Sequence, residues 1–205
     1  RVLSQPSCSL LDLYLFANAL QDDGTATLAE GLRQNTSLTK LNLCGNQIGP
    51  GGAAALGLAL SEHPSLTQCD LNCNELTDAG VAPLVAALST PLCRSPLAVL
   101  SLRKNGLTDA AVGVLYDAAV ANTRLADIAI CADWAPPRRQ RRLQASSGLA
   151  DNISKEASSR LSVYLEPRRA RLRAAKERVD DPEALRKLFA AAATATADVD
   201  DADDN

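Results

Sequence analysis

The sequence predicts an α/β solenoid, with short parallel strands on a concave face, helices on a convex face and a C-terminal α-helical extension. Three observations predict it. One apolar pattern starts again at Leu10, Leu38, Leu66, Leu97 and Leu125, at intervals of 28, 28, 31 and 28 residues. An asparagine holds the same place in the first four of these segments. A pair of apolar residues four apart follows each of those four.

The strand half comes first in each unit. The segments read LLDLYLFANAL, LTKLNLCGNQI, LTQCDLNCNEL, LAVLSLRKNGL and LADIAICADWA. Their gaps of three and two fit neither a helix nor a plain alternating strand. Recurring as L-x-x-L-x-L-x-x-N-x-L, they carry the signature of a leucine-rich repeat. The leading apolar positions face inward, with Cys69 serving as a small hydrophobe. Leu41, Leu71 and Leu100 are expected side by side in adjoining strands. Asn18, Asn46, Asn74 and Asn105 fall where the chain turns out of the strand, and a buried amide there can serve backbone groups left unpaired by the turn. Asp133 takes that place in the fifth unit, and an ionised carboxylate cannot donate, so the array is expected to end there.

The return half is helical. Leu28 and Leu32, Leu56 and Leu60, Leu84 and Leu88, and Leu115 and Ala119 each mark one inward face. Thr77 and Thr108, followed by Asp78 and Asp109, read as N-caps with acid in the first turn. Gly24, Gly52 and Gly80 share a column with Ala111, which predicts close approach of the helix and strand layers. Three extra residues around STPLCRSP in the third unit read as a surface loop.

The 28-residue period, the strand–turn–helix unit and the run LNCNELTDAG resemble the ribonuclease-inhibitor-type leucine-rich repeats over residues 10 to 133. That class also occurs in nucleotide-binding innate receptors, Ran GTPase-activating proteins and ciliary and cytoskeletal scaffolds. The resemblance implies the fold. Function in such folds rests on the variable positions.

Those positions form three columns expected on the concave face. The first is Tyr14, Asn42, Asp70, Ser101 and Ala129; the second Phe16, Cys44, Asn72, Arg103 and Cys131; the third Ala17, Gly45, Cys73, Lys104 and Ala132. An apolar end at Tyr14 and Phe16 passes to a basic end at Arg103 and Lys104. Tyr14, Phe16, Asn42, Cys44, Asp70, Asn72, Ser101, Arg103 and Lys104 are the expected partner contacts, the two aromatics being the anchors. Tyr14 and Phe16 have a second reading, as packing for a flanking repeat.

Catalytic chemistry is not expected. The single histidine, His63, stands in a loop and reads as a surface residue. Cys69 and Cys73 face opposite ways on a strand and cannot share a metal. GNQIGPGGAAALG lacks the Lys-Ser/Thr ending of a phosphate loop. The sequence reads as a non-enzyme with no catalytic residue, cofactor or metal. Cys8, Cys44, Cys69, Cys73, Cys93 and Cys131 follow no disulfide framework and read as reduced thiols of an intracellular protein. No apolar run is long enough to span a bilayer, so no membrane is expected. The chain has no Met and opens RVLSQPSCSLLDLYL, which reads as a piece of a longer protein.

The expected organisation is a repeat domain over residues 1–135, a basic helical extension over 136–193 and an acidic disordered tail over 194–205. Trp134 is expected to plug the end of the solenoid. Residues 1–135 hold seven basic and twelve acidic side chains, residues 136–178 twelve and four, and residues 179–205 two and eight. A near-neutral total therefore hides strong charge separation. Leu149, Ile153, Ala157, Leu161 and Leu165 make one helical stripe, expected to close at Pro167 before a second run, RRARLRAAKERV. Asp181 and Pro182 then open a third, with Leu185, Leu188 and Phe189 on one face.

Three readings of the basic segment are open. It folds back on the acidic repeats; or it docks an acidic partner, such as a tubulin or actin surface, through Arg138, Arg139, Arg141, Arg142, Arg168, Arg169, Arg171 and Arg173; or it meets nucleic acid or the nuclear-import machinery. The paucity of stacking aromatics argues against nucleic acid. The leading expectation is a non-enzymatic scaffold or adaptor in a hetero-oligomeric assembly, ciliary or cytoskeletal, with a cytoplasmic setting. The alternatives are a GTPase regulator resembling the Ran GTPase-activating proteins, or an actin-capping protein resembling tropomodulin.

Overall fold

A computed structural model describes residues 2–5, 7–130 and 153–178. Five strands, β1 (Asp12–Tyr14), β2 (Lys40–Asn42), β3 (Gln68–Asp70), β4 (Val99–Ser101) and β5 (Asp127–Ala129), form one parallel sheet in chain order. Helices α1 (Gln21–Gln34), α2 (Pro50–Glu62), α3 (Thr77–Leu88) and α4 (Asp109–Ala121) return between them, and α5 (Lys155–Arg178) follows β5. Each strand pairs with its successor, so the chain is a solenoid of coils, with strands on one face and helices on the other. Cys131, Ala132, Asp133, Trp134, Arg138, Arg139, Arg141, Arg142, the third helical run and the acidic tail lie outside the described residues.

Register puts Leu13, Leu41, Cys69, Leu100 and Ile128 in one inward row. Cys69, rather than Leu71, stands between Leu41 and Leu100, because the third coil carries its thiol at the leucine position. Burial pushes that thiol up, and the neighbouring Asp70 charge adds to the effect, so Cys69 packs as a hydrophobe. The helix residues Leu32, Leu56, Leu60, Leu84, Leu88, Leu115 and Ala119 close on that row from the other side and are fully buried.

The small column acts between helices. A Cβ on Gly80 of α3 would lie 3.0 Å from Pro50 Cα at the start of α2, and one on Gly57 would lie 2.9 Å from Leu84 Cα. The predicted approach of helix to strand is therefore an approach of helix to helix. Thr108 caps α4, its hydroxyl accepting from Ala110 N at 3.2 Å. Thr77 does not cap α3; it is the first helical residue, at a φ of 55°.

The asparagines bind the coils together. Asn46 Nδ2 donates to the carbonyls of Leu43 and Cys44 in its own coil and of Leu15 in the coil before, the last at 2.8 Å. Its Oδ1 accepts from Asn18 N at 3.0 Å and Leu20 N at 3.4 Å. Asn74 repeats the pattern one coil on, donating to Leu71, Asn72 and Leu43 and accepting from Asn46 N and Ile48 N. Asn105 donates to Leu102, Arg103 and Leu71 and accepts from Leu76 N. Asn46, Asn74 and Asn105 have no solvent exposure.

Helix α5 belongs to the same core. Leu161 and Leu165 are buried in the cluster that holds the repeat leucines. Asp109 in the first turn of α4 accepts from Ser154 N at 2.7 Å, just as Asp78 accepts from Thr108 N at 2.9 Å and Asp22 from Gly49 N at 2.7 Å. Ser154 in turn caps α5 through Ala157 N. The extension therefore starts in the register of a repeat helix and covers β5. A sequence boundary at 135 falls between that strand and its helix. The helix runs unbroken through Pro167, where the sequence predicted a stop. Proline there removes one N–H donor, while docking on both sides holds the helix.

Two of the arginines expected to meet a partner do that docking. Arg168 donates through Nη1 to Ala119 O at 2.7 Å and Leu125 O at 3.3 Å, and its guanidinium lies 4.9 Å from the Tyr164 ring centre. Tyr164 in turn meets Tyr116 of α4 at 4.9 Å. Arg169 pairs with Asp127 at 2.7 Å and donates to Ile128 O at 3.0 Å. Arg171 stays exposed, and Arg173, also exposed, pairs with Glu166.

Four outcomes test this account in urea unfolding. Asn74→Ala, deep in the array, lowers stability by at least ~2 kcal/mol, because it strands carbonyls in two coils. Asn18→Ala, at the exposed end, costs under ~1 kcal/mol. Leu165→Ala costs about 2–5 kcal/mol, as for any filled core site, and a chain ending at residue 152 unfolds at lower urea than the whole; an unchanged midpoint would make α5 an appendage.

Candidate functional site

The strands are short because each coil spends only three residues on the sheet before it turns. Residues between the inward row point to the concave face. The first predicted column, Tyr14, Asn42, Asp70, Ser101 and Ala129, is in register across all five strands. Tyr14 is 59% exposed; Asn42, Asp70 and Ser101 are half-buried and Ala129 is buried. Asn42 Nδ2 donates to Asp70 Oδ2 at 3.2 Å, and Asp70 Oδ1 accepts from Asn72 N at 2.9 Å.

The second column differs from expectation. Phe16 is 38% exposed, but Cys44 and Asn72 are 3% and 2% exposed. Asn72 Oδ1 accepts from Arg103 N at 2.8 Å, so its side chain ties the third coil to the fourth. These positions follow the strand, where the chain is already bending inward. The third column is the turn. Ala17, Gly45, Cys73 and Lys104 take φ values of 56°, 70°, 56° and 56°. Only Gly45 reaches that left-handed conformation without cost. Cys73 is buried there and Lys104 is exposed. Arg103 is half-buried beside it.

The strand residues one step earlier form a further concave column that the sequence reading passed over: Asp12, Lys40, Gln68, Val99 and Asp127. Lys40 pairs with Asp12 at 3.2 Å. The signal was available, since these residues also lie between inward leucines. His63 is the other difference. It is 1% exposed, and its Nδ1 accepts from Ser65 N at 3.3 Å and Leu66 N at 3.1 Å. Asn35 does the same after α1, with Oδ1 accepting from Ser37 N and Leu38 N, and Asn122 accepts from Arg124 N after α4. The imidazole stands in a helix-ending column of asparagines, 28 residues after Asn35, a spacing that the sequence displays.

The face is a mosaic of amides, carboxylates and cations with aromatics at one end. Among the described residues no three His, Cys, Asp or Glu side chains gather as a metal site, and no described helix is long and apolar enough to cross a membrane. Cys8, Cys44, Cys69, Cys73 and Cys93 are free thiols.

Burial raises the pKa of Asp70, against the lowering effects of the Asn72 N–H and the Arg103 charge. A carboxyl whose folded value lies above its unfolded one opposes folding once ionised, and that opposition vanishes below the unfolded value near pH ~4. Asp70→Asn, which keeps an acceptor for Asn72, therefore raises stability at pH 7. The gain shrinks as pH falls toward ~4, as read from thermal midpoints across that range.

Residues 34–57 and 62–85 match a leucine-rich repeat family model. A comparison with curated protein sequences gives no match. The chain is similar in structure to the C-terminal domain of tropomodulin from Caenorhabditis elegans, with a TM-score of 0.63 and 16% identity over 86% of this chain and 95% of that one. It is similar to leiomodin-1 actin-binding site 2, with a TM-score of 0.54 and 18% identity over 83% of this chain and 94% of that one. At such identities the likeness is one of fold. The repeat match, the strand register and the buried asparagines agree: the chain is a leucine-rich repeat protein.

Proposed function

We propose that the chain is a non-enzymatic protein-interaction scaffold of the cytoskeleton, that actin is its partner, and that its repeats are of the ribonuclease-inhibitor type. One observation carries the reading. Two solved domains match 83% and 86% of this chain and nearly all of their own length, and one of them is named as an actin-binding site. Binding would use the polar concave face, with Tyr14 and Phe16 at one end and Arg103 and Lys104 at the other. Of the basic segment, Arg138, Arg139, Arg141, Arg142, Arg171 and Arg173 remain candidates for an acidic partner surface, whereas Arg168 and Arg169 are engaged with β5 and α4. A cytoplasmic setting and membership of a hetero-oligomeric complex, cytoskeletal or ciliary, go with this proposal.

The GTPase-regulator reading rests on the sequence resemblance alone.

The test is elongation of actin filaments from barbed and pointed ends, followed separately by fluorescence with rising amounts of the chain, together with co-sedimentation. Slowed growth at one end, or saturable co-sedimentation, is the expected result. Normal growth at both ends with no pelleting of the chain would remove actin. Acceleration of GTP hydrolysis by Ran in a parallel assay would favour the regulator instead.

A further inference from the structure

A helix on the surface of a soluble protein turns charge outward, whereas a helix that is apolar all round is one that something covers. Helices α1 and α5 follow the first rule: Asp23, Glu30 and Arg33 stand exposed on α1, and Lys155, Arg160 and Arg171 on α5. Helices α2 and α3 do not. Glu62, the last residue of α2, and Asp78, the second of α3, are their only charges; the rest is Ala, Gly, Leu, Val and Pro with one serine and one threonine. Their inward residues fill the core, yet Gly51 and Leu58 of α2 and Ala79, Pro83 and Ala86 of α3 are exposed, Leu58 at 59%. Helix α4 continues the face with Gly113 and Val114 ahead of Asp117. Each helix lies against the next, so the uncharged surface is continuous over three coils, with a charged helix on either side. An exposed apolar face with a polar rim has the anatomy of an interface.

We infer that the outer faces of α2, α3 and α4 pack against the same faces of a second copy of this chain, about a two-fold axis that passes between α2 and α3. The face is its own complement in shape. The repeat helices all run the same way, so an axis normal to the face sets α2 of one copy antiparallel to α3 of the other. Leu58 lies past the middle of α2 and therefore meets the other α3 before its middle, at Ala79 and Pro83, where side chains are short. Each copy offers one knob and one hollow, and the symmetry fills both.

Charge on the rim selects the same occupant. The axis sets α1 of one copy beside α4 of the other with their directions reversed. Asp23, in the first turn of α1, then faces Arg124, exposed just beyond the end of α4. Arg33, in the last turn of α1, faces Asp109 in the first turn of α4. Both pairs join opposite charges, whereas a partner of one charge sign matches only one end of the rim. Arg33 is held by Glu62 at 3.1 Å and Arg124 by the carbonyl of Cys93 at 3.1 Å, so both guanidiniums are in place beforehand. Three helices of 12 or 13 residues, about 10 Å apart, present roughly 600 Å² per copy. The pair buries roughly 1,200 Å², the low end for a specific interface, so the dimer is a reversible one. The face is separate from the concave face proposed above, so either can fail alone.

The test is sedimentation velocity of the whole chain from low to high micromolar concentration. The expected result is a reversible shift from the mass of one chain to that of two. Leu58→Lys, at an exposed position, weakens the dimer about tenfold or more, because it sets a charge against short apolar side chains. Leu58→Met retains it. Asp23→Arg and Arg124→Asp each weaken it, and the two together restore it, which only a partner that carries both residues can do. The mass of a single chain at every concentration overturns the inference and gives the face to another occupant. A dimer indifferent to Leu58→Lys overturns it too, as does a double variant that associates no better than either single one.

Discussion

Every coil of this molecule must leave its strand inside a dry interior, and the bend leaves backbone groups that water cannot reach. In the second, third and fourth coils one buried amide meets that constraint. Because Asn46, Asn74 and Asn105 each serve two coils, a turn is stable only when its neighbour is in place. Local and long-range order are thereby the same set of bonds. The leucine rows supply most of the attraction between coils, but they are tolerant of what fills them, as Cys69 demonstrates. The asparagine positions are not tolerant, because an orphaned carbonyl in that interior has no substitute partner.

The repeat was legible because it is periodic. Strand order and the inward helix faces follow from aligning the segments, and the structure keeps them, while the inward row takes Cys69 where Leu71 was expected. What the sequence misjudged were positions where one residue does a job that differs from its column. Cys44 and Asn72 sit at places that read as outward by alternation, yet the chain has begun to bend and they are buried. His63 looked like a lone loop histidine because its column partners, Asn35 and Asn122, are chemically different while geometrically alike. Proline within α5 was read by its local rule, and tertiary docking outweighs that rule.

The arm was the hardest part to read. Its arginines form a patch in one dimension, and composition alone does not say which of them will find carbonyls. Arg168 and Arg169 do so because they fall on the face of α5 that carries Leu161, Leu165 and Leu172 toward the repeats. Charge that appears available for a partner is thus divided between closing the solenoid and facing outward. The concave face was more readable in outline than in detail: Tyr14 and Phe16 are exposed as the pattern suggested, whereas the third column proves to be the left-handed turn.

The histidine at the end of α2 gives the array an uneven chemistry. An imidazole that accepts two backbone N–H groups through Nδ1 must hold its own proton on Nε2. The amide oxygens of Asn35 and Asn122 accept whichever way a proton is placed, so one joint between coils depends on the tautomer of a ring while its counterparts do not.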